Sequence, residues 1–93
     1  MLRIRIDTTP RQTTLRLEGR LAGPWVDELA RCWASERAGK DAGSIRIDLD
    51  GVTFIGSAGK IVLRQIHDDG AVLLARDCAT SAILEEIRRP DPA

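Results

Sequence analysis

Ser57 sits between Gly56 and Gly59, beside Ala58 and Lys60, directly behind the run Ile47-Asp48-Leu49-Asp50-Gly51-Val52-Thr53-Phe54-Ile55. A hydroxyl where an amphipathic helix begins has three uses. It can cap the helix, accept a phosphoryl group, or stand in a protein interface. The helix dipole, the free backbone N–H groups of a first turn and the Lys60 ammonium would all favour an anion at that point. Two related motifs fail on spacing. A phosphate-binding P-loop needs glycine five residues before Gly59-Lys60 and a hydroxyl residue after it, but Phe54 and Ile61 occupy those positions. A hydrolase nucleophile elbow needs glycine two residues before the serine, where Ile55 stands. His67 is the one histidine and lies at the far end of the same helical run, so no Ser–His pair can be assembled. With Asp68 and Asp69 it reads as a solvated turn, not a metal site. The expectation is a non-enzymatic site with no metal and no cofactor.

Ile61 extends that site. At 100° per residue it points away from the Gly59, Val62, Leu63 and Ile66 stripe and shares the outward side with Arg64, Gln65 and Asp68. Flanked by Lys60 and Arg64, it reads either as an ordinary exposed isoleucine or as the apolar centre of a protein-binding patch with a charged rim. Trp25 and Trp33 fall two turns apart on an earlier helix, Trp33 toward the core and Trp25 as a partly exposed anchor.

Positioning these residues requires alternating strands and helices. Leu2, Ile4 and Ile6 alternate with charged residues, Thr8-Thr9-Pro10-Arg11-Gln12 turns the chain, and Leu15 and Leu17 alternate with Thr14, Arg16 and Glu18, which predicts a β-hairpin. Pro24 opens a helix carrying Val26, Leu29, Ala30 and Trp33, which ends in Ala38-Gly39-Lys40-Asp41-Ala42-Gly43. A third strand runs from Ile45 to Leu49, the Ser57 helix closes at Asp68-Asp69-Gly70, and a fourth strand covers Val72 to Ala75. Thr80 or Ser81 can cap a last helix with Ile83, Leu84 and Ile87 inward, Arg88 and Arg89 at its end and Pro90 stopping it. The order β-β-α-β-α-β-α with right-handed crossovers puts the helices mainly on one face of a mostly parallel four-stranded sheet. The strict alternation of the third strand leaves the other face wet, with Arg3, Arg5, Arg16, Glu18, Arg46 and Asp48 expected to form a ladder of cross-strand charge pairs.

Composition sets the outer bounds. The 93 residues allow one small domain, 1–93. Fourteen Lys and Arg balance fourteen Asp and Glu, so no field draws the chain to nucleic acid or acidic membranes. Cys32 and Cys78 lack metal spacing and a disulfide framework, and read as reduced structural thiols of a cytosolic protein. No leader and no apolar run of the ~18 residues a membrane helix needs is expected.

On three stretches the chain resembles the STAS family, the domain shared by anti-sigma factor antagonists and sulfate transporters. Asp48-Leu49 through Lys60 is similar to the family pattern D-L-x-x-V-x-F-hydrophobic-D-S-S-G-L, Gly19-Arg20-Leu21 to its G-x-L after the second strand, and Gly70-Ala71-Val72-Leu73-Leu74 to its late G-x-x-L-x-L strand. The resemblance implies a single small STAS-like α/β domain, and makes Ser57 the candidate acceptor for phosphorylation by a partner kinase. Gly56 replaces the acid, Ala58 the second hydroxyl and Lys60 the leucine, and Ala22 stands where aspartate commonly follows G-x-L, so the phosphorylation loop is degenerate. The implied role is that of a bacterial, cytoplasmic protein-interaction module acting in transcription regulation. Gly56, Ser57, Ala58, Gly59, Lys60, Ile61, Arg64, Arg20 and Trp25 would bind a protein partner, an anti-sigma factor of serine-kinase type. An accessory subunit docking on a transporter ATPase subunit, or a nucleotide- or anion-binding module, are the alternatives.

Overall fold

The computed structural model describes residues 1–88. The elements are β1 (Leu2–Thr8), β2 (Thr13–Leu21), α1 (Pro24–Arg37), a 3-10 turn at Ala42–Ser44, β3 (Ile45–Ile55), α2 (Ser57–Asp68), β4 (Val72–Leu74) and α3 (Cys78–Arg88). Arg89 and Pro90, expected to end the last helix, lie outside the described residues.

The sheet has the order β1-β2-β3-β4, with β1 antiparallel to β2 and the other two pairings parallel. The hairpin forms because the Thr9 hydroxyl accepts from the Gln12 N–H at 3.1 Å and donates to the Gln12 carbonyl at 3.0 Å, closing the turn around Pro10. Leu15, Leu17, Ile45, Ile47, Leu49 and Leu73 are buried on one face of the sheet against Val26, Leu29 and Trp33 of α1, Leu63 and Ile66 of α2, and Leu84 and Ile87 of α3. Burial fades along β1 from Leu2 through Ile4 to the exposed Ile6.

Three expectations need correction. The third strand does not stop at Leu49 but runs to Ile55. Register shifts against β2 between Arg16 and Glu18 and between Gly19 and Arg20 insert extra residues into β3, so after Ile45, Ile47 and Leu49 its buried positions become Val52 and Ile55. α3 begins at Cys78, two residues before Thr80, and its cap is Asp77, whose carboxylate accepts from the Thr80 N–H at 2.9 Å. Thr80 itself is buried in the helix. The charge ladder on the open face forms only in part. Arg3 faces Glu18 and Arg16 faces Asp48, but Arg5 lies directly opposite Arg16, and Arg16 turns diagonally to Asp7 at 3.3 Å.

Helix ends follow their sequence signals. α1 starts behind Gly23, held at φ 61°, with Pro24 in its first turn. α2 ends in a Schellman motif: Ala71 N–H bonds to the Ile66 carbonyl at 3.3 Å and Gly70 N–H to the His67 carbonyl at 2.9 Å, with Gly70 at φ 114°. Asp69, the C-cap residue of α2, accepts from Trp33 Nε1 at 3.2 Å and pairs with Arg37 at 2.8 Å, tying α1 to the end of α2. At the far end of α3 the Arg88 guanidinium donates to the Leu73 carbonyl of β4.

The Asp77 cap carries a pH signature. The Thr80 N–H holds its carboxyl below the ordinary value, so its contribution is complete above the unfolded value of about 3.9 and is lost as pH falls through the lower folded value. Asp77→Ala should lower the melting temperature at pH 7 and flatten the acid limb of the melting profile, while Asp77→Asn keeps most of the cap. Identical profiles for all three proteins would remove Asp77 from that role.

Candidate functional site

The carboxyl ends of β2 and β3 lie side by side, Arg20 opposite Phe54 and Leu21 opposite Ile55. Gly56 N–H donates to the Leu21 carbonyl at 2.9 Å, and the first helical bond of α2 runs from Lys60 N–H to the Gly56 carbonyl at 3.0 Å. Gly56 is therefore the N-cap and Ser57 the first helical residue, exposed and making no capping bond. The expectation that the Ser57 hydroxyl caps the helix is thus corrected. Ser57→Ala should leave the denaturant midpoint unchanged, within about 0.5 kcal/mol as for other surface changes; a clear loss would mean that the hydroxyl makes a bond in solution.

Beside this turn the Arg20 guanidinium lies over the Phe54 ring, 4.7 Å from its centre. Phe54 is 44% exposed and its ring edge would be 3.6 Å from a Cβ placed on Gly56, so ring, cation and serine turn form one continuous surface. Sequence reading named Arg20 but missed Phe54. Its signal was the loss of period-two alternation after Leu49, which marks a bulged strand able to turn an aromatic outward.

The remaining candidates divide by burial. Ala58 is exposed beside Ser57, and Ile61 is 59% exposed, as its helical phase predicts. Gly59 is buried against Leu21, so it sets the approach of α2 to β2 and is not part of the surface. Lys60 is half-buried and reaches Glu86 of α3 at 3.8 Å. Lys60, Ile61 and Arg64 line a groove of about 160 Å³ with Glu86 and Ile87 of α3. Trp25 is half-buried against the core, in the first turn of α1 at the same end of the sheet. Among the described residues no group of three or more His, Cys, Asp or Glu could hold a metal ion. Burial pushes the half-buried Cys32 thiol above its ordinary value, away from nucleophilic use. None of the helices in the described residues is long and apolar enough to cross a membrane.

No family model and no curated protein matches the sequence. Solved structures match its shape. An anti-sigma factor antagonist from Mycobacterium paratuberculosis superposes with a TM-score of 0.80 over 92% of this chain and 77% of that one, at 19% identity. The unphosphorylated anti-sigma factor antagonist SpoIIAA gives a TM-score of 0.60 over 95% of this chain and 100% of that one, at 12% identity. The fold is STAS-like. The same fold forms part of a longer protein, Mglu, of which the chain covers 19% with a TM-score of 0.59 and 16% identity. In this STAS-like frame the Ser57 turn and the Arg20–Phe54 pair share the carboxyl end of the parallel strands.

Proposed function

We propose that residues 1–93 form a single STAS-like domain that works as a non-enzymatic protein-interaction module, in the manner of an anti-sigma factor antagonist in a bacterial cytoplasm. The observation that carries this reading is the exposed surface that Arg20, Phe54 and the Ser57 turn share at one end of the sheet, with the exposed Ile61 one helical turn further along α2, on a fold shared with two such antagonists. Arginine and aromatic side chains are the residue types that most often anchor protein interfaces. The partner is an anti-sigma factor of serine-kinase type. Ser57 is the candidate phosphoacceptor, in a loop whose acid and second hydroxyl are replaced by Gly56 and Ala58.

Affinity capture from extracts of the source cell tests the proposal. The chain is expected to retain a serine-kinase-like anti-sigma factor, to lose it on Phe54→Ala, and to emerge at its unmodified mass. Recovery of a transporter ATPase subunit instead would assign the accessory role. A dominant phosphorylated species mapping to Ser57 would show that the altered loop still serves a kinase.

A further inference from the structure

We propose that the outer edge of β1 takes an extended acidic segment of a protein partner as an added strand, with carboxylates on the open face and apolar residues toward the helices. β1 is seven residues long, its register with β2 is unbroken, and no proline or bulge interrupts it. Natural edge strands are usually shortened, bulged or covered, as β4 is by its three residues and by Arg88. Two bonds fix which main-chain groups of β1 point outward. Arg20 N–H donates to the Met1 carbonyl at 3.0 Å and Thr9 N–H to the Gln12 carbonyl at 2.8 Å. Bonded pairs recur at every second residue of an antiparallel ladder, so the odd-numbered positions of β1 bond to β2. The N–H and C=O groups of Leu2, Ile4 and Ile6 therefore face away from the sheet, and among the described residues none of them bonds elsewhere.

Side chains select the occupant. Arg3 and Arg5 are exposed on the open face and, among the described residues, neither is paired with a carboxylate. Arg3 lies across from Glu18, but that side chain leans the other way. A Cβ placed on Gly51 of β3 would be 2.6 Å from Glu18 Cγ, and Glu18 lines a cleft with Asp48, Asp50 and Arg76. Arg5 lies across from Arg16, whose own partner is Asp7 at 3.3 Å. Two neighbouring cations are thus left at the margin, one of them facing a like charge, and a strand laid beside them gains most from acids at alternate positions. On the other face Ile4 is half-buried and Ile6 is 45% exposed, so the residues between the acids meet an apolar row. A second copy of β1 would bring arginine against arginine, which leaves an acidic partner strand as the occupant. The edge shares no residue with the Arg20–Phe54 surface, so the two readings can fail separately.

Nuclear magnetic resonance of the full chain with two synthetic peptides tests this, one alternating Glu and Val over about eight residues and its counterpart alternating Lys and Val. The acidic peptide should bind and slow hydrogen exchange at the amides of Ile4 and Ile6. Arg3→Glu combined with Arg5→Glu should weaken it at least about tenfold and admit the basic peptide instead. Ile6→Pro should abolish binding and keep the fold, because that N–H makes no bond within the sheet. Circular dichroism melts verify that the variants fold, and the charge reversal keeps the test decisive should Ile6→Pro not fold. No protection of these amides at about 1 mM acidic peptide, or equal binding of the two peptides, overturns the proposal. Binding that is lost on Phe54→Ala but indifferent to the charge reversal also overturns it, leaving the protein-binding reading in place at the strand ends. Dimerisation that Ile6→Pro abolishes would make a second copy the occupant and overturn the acidic assignment.

Discussion

Leu63→Asp is expected to unfold the protein. Leu63 is fully buried on the inner stripe of α2, in the same core cluster as Leu21 and Ile66, and an unpaired carboxylate in that position costs several kcal/mol against a total stability of about 5–15 kcal/mol for a small domain. The same substitution two residues earlier, at the outward Ile61, should leave stability within about 0.5 kcal/mol. Val62, half-buried at the margin of the stripe, should fall between the two. Urea unfolding of the three variants measures the order directly, and equal losses at Leu63 and Ile61 would mean that α2 is rotated and that the outward surface is not a surface.

Gly59→Val is the second large expected effect, and here two forces of opposite sign compete. Replacing glycine inside a helix ordinarily stabilises it by several tenths of a kcal/mol up to about 1 kcal/mol. A Cβ on Gly59, however, would sit 2.8 Å from the Leu21 carbonyl oxygen and 2.9 Å from Leu21 Cγ, closer than real contacts allow, against backbone that also holds the Gly56 N–H. Overpacking of this kind costs about 1–3 kcal/mol and moves α2 off β2. Gly56→Ala is the control, because its Cβ would meet its neighbours at 3.5 Å or more and its φ of −77° suits any residue. A Gly59→Val protein as stable as the parent would show that α2 does not press on Leu21.

The elements that show one periodicity throughout were legible from sequence. α2 carries its apolar residues at helical spacing with a glycine stop, and the hairpin alternates across a threonine-proline turn, so each was placed close to its observed bounds. What escaped were features in which two segments meet. The bulges that carry β3 on to Ile55 depend on its pairing with β2, and after Leu49 its buried residues follow neither a strand nor a helix period. The start of α3 hung on which of several polar residues would cap, and Asp77 prevailed because its carboxylate reaches the Thr80 N–H at the helix start. The exposure of Phe54 belongs with these: the broken alternation after Leu49 marks an irregular strand, but only the pairing of β3 with β2 decides that the ring turns outward.

The bond from Arg88 to the Leu73 carbonyl bears on behaviour in a crowded solution. β4 is an outermost strand three residues long, and an outermost strand offers free main-chain groups to any extended chain nearby, the first step toward fibrous aggregates. With a guanidinium on that carbonyl, an incoming chain must first displace a cation before it can add to the sheet. At the opposite margin β1 presents Arg3 and Arg5, charges that repel a second copy of the same strand arriving in register. Both margins of the sheet thus carry arginine, which works against addition of a second copy at either edge and leaves the carboxyl ends of β2 and β3 uncovered.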